Sequence, residues 1–547
     1  MVQGRAVSRS EVTGGDALIS ALDAAGVRAI FGVPGIQLDG AIDALARSDS
    51  GIEFYSLRHE QAATYMADGY ARASGRVGVA MVVPGPGILN ATAGLATAYA
   101  CSSPVFTIVG QVDSQSIGRS LGLLHEIPDQ TGVLRGLTKG SYLARTADEV
   151  AALVATGIDH AIADRPRPVA LEIPVDVLHA PAKTRDLEGL LPIESEEPDH
   201  ASLERIAHAL LAARKPAIYA GGGIHIAGAH GALIRLARLL GAPVVTSLAG
   251  AGAIPADDPL ALTHACLAAV ATEADLIVAV GSRFLDRVGR PELSDVAVAV
   301  ALINADVQDL GAPRRAAYTA RADAGQALEL LGDLVSQRGT RPPAWSSHEI
   351  AVHRETLSRR GEAVAPQRRW LGAIRAAMPR DSVFVSEMTQ MGYVSNDFYP
   401  VYRPRGYITP GYQGTLGYGF ATALGAQVGA PDSPTVSVTG DGGFGWTLQE
   451  LSTQAKYQIP LATVIFRDDR FGNVMRIQDA LYGGRRFGID LQNPDFVRLA
   501  EAFEVEGARV TSPAELEATL GEAVESRRPI VIEVPVGEMP DPWPIIV

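Results

Sequence analysis

Two aspartates frame one apolar run: Asp441, in Gly440-Asp441-Gly442-Gly443, and Asp468, in Arg467-Asp468-Asp469. They stand 27 residues apart (468 − 441 = 27). Thr435 to Thr439 before the first reads as a strand, and Gly442-Gly443 permit a sharp turn into a helix expected around Trp446 to Tyr457. Free N–H groups at such a helix start attract phosphate oxygens, and glycines let those oxygens approach. The next strand, Leu461 to Phe466, returns Asp468 to the same edge of a parallel sheet, where ligands of open α/β folds collect. Two converging carboxylates, completed by phosphates and water, suit the near-octahedral oxygen shell of Mg²⁺. The spacing therefore implies a magnesium-diphosphate site, with a strand ending in a surface acid as the plain alternative.

The elements that must position these residues are those of an α/β protein. Short Val/Ile-rich runs such as Pro104 to Gly110, Asp275 to Gly281 and Thr435 to Thr439 alternate with alanine-rich helical patterns. That alternation predicts consecutive doubly wound parallel-sheet domains, each sheet covered on both faces. At 547 residues the chain is long enough for roughly three of them. The proline- and acid-rich stretch Pro181 to His200 and the charged stretch Arg338 to Arg369 read as exposed connections, giving domains at 10–182, 198–337 and 365–547. Pro168 to Val175 and Pro529 to Val536 share one pattern, which predicts that the outer domains are related copies.

Composition removes several classes of function. A formal charge of −14 argues against a nucleic-acid partner, which needs clustered cations. Two cysteines, Cys101 and Cys266, lack metal-ligand spacing and read as buried small residues of a reducing compartment. No run approaches the length of a membrane span, so the cytoplasm is the expected location.

Asp441-Gly442, Gln449-Glu450, Pro460 and Asp468 together resemble the cofactor motif of thiamine-diphosphate enzymes. From about Gly15 to Val536 the chain resembles the acetohydroxyacid synthase (acetolactate synthase) large-subunit superfamily. Phe31-Gly32-Val33-Pro34-Gly35, Arg58-His59-Glu60-Gln61-Ala62, Gly69-Tyr70-Ala71-Arg72 and Gly85-Pro86-Gly87 carry that resemblance. It implies thiamine diphosphate and Mg²⁺ as cofactors, with Asp441, Asp468 and the carbonyl of Arg470 on the metal. Glu60 would face the aminopyrimidine ring nitrogen and promote loss of the thiazolium C2 proton. Gln390 and the turn Gly440, Asp441, Gly442 and Gly443 would hold the diphosphate, Gly414 would accept the pyrimidine amino group, and Leu416 would wedge behind the thiazolium. Gly35 would bring backbone towards the reacting carbonyl. The implied unit is a homodimer, with a homotetramer as the expected assembly.

The implied reaction is decarboxylation of a small 2-oxo acid and ligation of the remainder to a second carbonyl. A simple 2-oxo acid decarboxylase, a flavin-dependent acyl oxidase and a non-catalytic cofactor-binding scaffold are the alternatives. Departures from the family concern the substrate side. Met391 and Ile477 replace a family histidine and tryptophan, and His125, in Leu124-His125-Glu126, stands where a glutamine is usual. His125 is a candidate acid, base or carboxylate anchor. Asp468 replaces the usual asparagine and adds a negative charge to the metal shell.

Tyr219-Ala220-Gly221-Gly222-Gly223 lacks the third glycine and the distant acid of a dinucleotide fingerprint, so NAD is rejected. Gly281 to Val288 resembles a flavin-contacting loop of the family, but Leu262 to Asp275 is shorter than the family's loop and lacks its glycine-histidine-glycine contact. FAD is not favoured.

Overall fold

A computed structural model describes residues 12–183, 197–337 and 342–546. The expected connection at 181–200 lies partly outside them, at 184–196, as do 338–341 of the second. Eighteen strands form three six-stranded sheets among the described residues.

The first sheet comprises β1 (Ala29–Gly32), β2 (Glu53–Ser56), β3 (Gly78–Val82), β4 (Val105–Gln111), β5 (Gly140–Leu143) and β6 (Val169–Pro174). Its order is β2-β1-β3-β4-β6-β5. The central sheet comprises β7 (Pro216–Ala220), β8 (Val244–Thr246), β9 (Ala261–Thr263), β10 (Leu276–Val280), β11 (Ala299–Asn304) and β12 (Tyr318–Arg321). The last comprises β13 (Val383–Ser386), β14 (Tyr407–Ile408), β15 (Thr435–Gly440), β16 (Ala462–Arg467), β17 (Glu506–Arg509) and β18 (Ile530–Pro535), in the order β14-β13-β15-β16-β18-β17. Renumbered from its own first strand, that is the order of the first sheet. The shared pattern of β6 and β18 thus belongs to two copies of one topology. The central sheet, β12-β11-β10-β7-β8-β9, is wound differently.

Every ladder between these strands is parallel. Parallel pairing needs crossover helices, and these bury both faces, so even the alternating Thr435, Ser437 and Thr439 of the inner strand β15 are buried. In β10, Leu276, Val278 and Val280 enter one apolar cluster and Ile277 and Ala279 another, which shows the two covered faces directly. Each such fully buried Val or Ile contributes about 1.5–3 kcal/mol. Edge strands β5 and β17 are only partly buried.

Two expectations change. The charged stretch 338–369 contains an α-helix, Ser347–Arg360, whose buried residues are Ile350, His353 and Leu357. Its narrow i, i+3, i+7 stripe leaves most of the helix solvated, hence the charge. The helix expected over Trp446 to Tyr457 starts two residues later, as a 3₁₀ turn, Leu448–Glu450, running into a short α-helix, Leu451–Lys456, and a separate turn of helix at Asp441–Phe444 precedes it. Gly442, Gly443 and Gly445 weaken helix propagation across this stretch.

The chain forms two compact units. Leu424–Gly429 and Gln449–Tyr457, although late in sequence, belong to the unit of the first sheet, and the central and last sheets make up the other. Among the described residues no helix is long and apolar enough to cross a membrane. Cys266 is buried as expected, whereas Cys101 is partly exposed.

Candidate functional site

In the first unit, β2 runs out at Ser56 and His59 adopts an extended conformation ahead of the helix Glu60–Ser74. His59 Nδ1 accepts the Gln61 amide at 3.2 Å, capping the helix start. Gly75, at φ 77°, closes the other end in the left-handed region that glycine tolerates. Glu60 is therefore the first residue of a well-capped helix, where its charge is favoured by the dipole. It is half-buried, and Asn90 Nδ2 donates to its Oε2 at 3.0 Å.

Gly85 has φ 58° and sits so close to the His125 carbonyl that a Cβ would collide with it. Only glycine serves there. Pro86 then opens the helix Pro86–Cys101. Val83 fills the space that a Cβ on Gly35 or Gly87 would need, and a Cβ on Gly87 would lie 3.6 Å from Glu60 Oε1. The structure thus brings Gly35, Gly87 and Glu60 around one valine. His125, at φ 67°, is partly exposed, its Nδ1 3.2 Å from Gln37 Oε1. Gln37 Nε2 in turn donates to the Leu124 carbonyl at 3.2 Å, which fixes the loop that carries the histidine.

In the second unit, β15 delivers Gly440 and Asp441 and β16 delivers Asp468 from adjacent strands, with Gly440 opposite Phe466. Asp441 is almost fully buried. Its carboxylate accepts from the Gly442 amide (2.9 Å), the Asp469 amide (2.7 Å) and Asn493 Nδ2 (2.7 Å). Burial raises its proton affinity and the Asp469 charge adds to that, against these donors. Burial, reinforced by the Asp441 charge, pushes Asp468 up to about 6. Against the effect of burial, Asn493 and Arg467 hold Asp469 below the usual carboxylate range. Arg470 Nε donates to the Asp468 carbonyl at 3.2 Å. Two acids straining against each other's charge make a site that a cation would relieve. Among the described residues no three His, Cys, Asp or Glu side chains converge, so such a cation would take further oxygens from backbone, ligand or water.

Gln390 begins the helix Gln390–Phe398, and its Oε1 is buried with no hydrogen-bond partner among the described residues. A buried amide oxygen of that kind calls for a donor from elsewhere. Gly414, at φ 56°, ends a 3₁₀ turn, and Leu416 beyond it is half-buried. One buried acid ties this segment to the turn. Glu387 accepts from the Gly417 amide (2.6 Å), the Gly419 amide (3.2 Å) and Thr439 Oγ1 (2.5 Å), and a Cβ on Gly443 would strike its carboxylate. Burial raises its proton affinity, opposed by those donors.

Glu387 and Asn493 were not singled out by sequence. Glu387 follows strand β13 as Asp441 and Asp468 follow theirs, so an acid at a strand's carboxyl end was the available signal. Asn493 carries none, because it arrives from a loop after the Asp490 bridge to Arg470.

With this geometry in place, three family models match the chain: the N-terminal thiamine pyrophosphate binding domain over residues 12–133, the central domain over 203–331 and the C-terminal binding domain over 387–534. The chain belongs to the thiamine pyrophosphate enzymes of the acetolactate synthase large-subunit superfamily. Among the relatives of this family, the probable acetolactate synthase large subunit of Methanocaldococcus jannaschii is 34% identical over 95% of this chain and 91% of its own length. The acetolactate synthase isozyme 3 large subunit of Escherichia coli is 34% identical over 94% of this chain and 93% of its own. A probable 2-ketoarginine decarboxylase of Pseudomonas aeruginosa reaches 34% over 92% and 90%. Within this family's central domain, Gly221 and Gly223 pack directly on Gly281, the Gly223 amide donating to the Gly281 carbonyl at 2.9 Å. In the loop that follows, Arg283 stacks over Tyr412 at 4.6 Å and Arg287 over Trp543 at 5.1 Å.

Proposed function

We propose that this enzyme decarboxylates a small 2-oxo acid with thiamine diphosphate and Mg²⁺ and joins the remainder to a second carbonyl compound, as an acetolactate synthase-like transferase. The observation that carries the reading is the Asp441–Asp468 pair, a buried and a half-buried acid at the ends of adjacent strands, the charge of the first raising the proton affinity of the second. With Arg470 supplying a carbonyl, they offer Mg²⁺ the hard oxygens it prefers. The side-chain N–H groups of Gln390 and the turn Gly440 to Gly443 would seat the diphosphate, Gly414 would accept the pyrimidine amino group, and Leu416 would press behind the thiazolium. Bound thiamine diphosphate supplies the carbon nucleophile and electron sink of the reaction.

The chain's own part is positioning and proton movement. Glu60 Oε holds and returns the proton exchanged with the pyrimidine ring nitrogen. Gly35 and His125 line the substrate side, His125 as acid, base or carboxylate anchor. FAD is left out of the proposal, because Arg283 and Arg287 of the flavin-like loop already stack on Tyr412 and Trp543. Absence of a flavin's visible absorbance in the purified protein is the check.

The reading places the enzyme in the cytoplasm as a homodimer at least, assembling into a homotetramer, with domains at 10–182, 198–337 and 365–547. Sedimentation of the holoenzyme tests the assembly. A second reading, decarboxylation without ligation, is favoured by the equal similarity to the 2-ketoarginine decarboxylase. One experiment separates them: holoenzyme is incubated with a panel of 2-oxo acids, with and without carbonyl acceptors, and CO₂ and products are followed by mass spectrometry. A ligated hydroxyketone supports the first reading and free aldehyde the second. No CO₂ from any acid, in protein shown to bind the cofactor, overturns both.

A further inference from the structure

Gln449–Tyr457 follows closely on the Asp441 turn in sequence, yet belongs to the unit of the first sheet. There it satisfies an otherwise open run of backbone. β2 is an edge strand, so its outward N–H and C=O groups need partners. Tyr457 Oη serves two of them, accepting the Ser56 amide at 2.7 Å and donating to the Phe54 carbonyl at 3.0 Å, while its ring lies 4.8 Å from that of Tyr55. Past the strand, the Glu450 carboxylate takes over. It accepts the Arg58 amide at 3.2 Å and the His59 amide at 3.0 Å, and Thr453 Oγ1 donates to it at 2.5 Å. Ser452 Oγ accepts from Arg58 Nε at 3.1 Å. Glu450 has no exposed surface at all.

A buried carboxylate is costly unless its lone pairs are filled, and here the donors that fill them are the backbone amides immediately before Glu60. A helix start is otherwise free to fray, and an acid on its first residue would move with it. We propose that Glu450 is a positioning residue for Glu60, fixing the backbone from which the cofactor-facing acid projects. The proposal rests on the reading of Glu60 given above. The segment does more than close a sheet edge: Tyr457 alone completes the edge, whereas Glu450 acts beyond the strand, on the residues that set where the helix begins.

The test uses the full-length protein with Glu450→Gln, which keeps the shape but turns one acceptor into a donor facing an amide. Amide hydrogen exchange at Arg58 and His59 in the protein without cofactor should accelerate by about five- to tenfold, the equivalent of one lost hydrogen bond. In the holoenzyme, exchange of the thiazolium C2 proton and kcat should fall by about 10–10²-fold, as expected for a misplaced catalytic group, with KM and thiamine diphosphate affinity changed less than about threefold. Combined with Glu60→Gln, the second substitution should add almost nothing to the loss. Unchanged C2 exchange in Glu450→Gln, or a fall matched by the loss of cofactor affinity, overturns the proposal while leaving Glu60 in place. Unchanged exchange in Glu60→Gln alone overturns the reading of Glu60 and this proposal with it. If Glu450→Gln does not fold, Glu450→Asp, which keeps the charge but draws it back from the Arg58 and His59 amides, gives the same directions with smaller amplitude, and wild-type C2 exchange in that variant overturns the proposal.

Discussion

The first and last sheets share a strand order, and each carries a buried glutamate at the same place in its last strand, Glu172 opposite Val109 and Glu533 opposite Ile465. Their surroundings differ. Glu172 is held by neutral donors, Gln111 Nε2 and Gln130 Nε2 at 2.9 Å and Thr131 Oγ1 at 2.6 Å. Gln130 then accepts the Gly85 amide at 3.0 Å, so this acid supports the loop beside Glu60. Glu533 instead pairs with Arg467 at 3.0 Å and Arg509 at 2.9 Å. Arg467 continues to Asp469, whose amide binds Asp441. In the proposed function, one of these carboxylates braces the site that would move a proton, the other the site that would hold a cation and a polyanion. The neutral network keeps extra charge away from Glu60, and the arginines offset a crowd of acids around Asp441.

The sharpest way to break this division is to strike each half at its working residue. Glu60→Gln should lower kcat by about 10²–10⁴-fold with cofactor affinity nearly unchanged, since only proton movement is lost. Steady-state kinetics beside a cofactor titration reads both numbers, and a large loss of affinity would mean that the first sheet binds rather than activates. Asp441→Ala should do the reverse, weakening thiamine diphosphate and Mg²⁺ binding by about 10²-fold or more, with turnover at saturation less affected. Chelation of the metal should mimic it, and isothermal titration with and without a chelator is the measurement.

The paired glutamates sharpen the comparison further. Glu533→Gln leaves two guanidinium groups facing a neutral amide and should cost about 2–4 kcal/mol of stability, less at high salt because Arg467 and Arg509 are partly exposed. Glu172→Gln should cost about 1 kcal/mol and show no salt dependence, because glutamine donors can reorient around a new amide. Denaturant unfolding at two salt concentrations distinguishes them. Equal salt dependence would remove the electrostatic contrast between the sheets.

Much of this architecture was legible in sequence because parallel strands covered on both faces leave a strong signal, runs such as Ile277-Val278-Ala279 with no polar alternation. The acids at strand ends were legible for the same reason, Asp441 and Asp468 standing immediately after buried runs. The roles of Glu387 and Glu450 were not, since each is defined by amides more than 29 residues away in sequence: Gly417 at a separation of 30 for one, Arg58 at 392 for the other. The helix expected around Trp446 to Tyr457 was legible, but that its first turn, Leu448–Glu450, is 3₁₀ and sets Glu450 against the amides before Glu60 was not.

The smallest expected effect lies outside both outer sheets and calibrates the others. Glu349, in the capping box of the helix Ser347–Arg360, is held down to about 2 by Lys215 and by the Ser346 amide and hydroxyl. An unfolded glutamate titrates near about 4.3, so here the folded state binds its proton more weakly than the unfolded state. The stabilisation is therefore complete above that pH and is lost as pH falls towards 2. The side chain is largely solvated, so screening keeps the effect modest. The difference in melting temperature between wild type and Glu349→Gln should shrink steadily from about pH 6 to about pH 3, a window read from those two values. A difference independent of pH would mean that the cap works through its hydrogen bonds alone, and charge arguments for the better-buried Glu533 pair would then need the same discount.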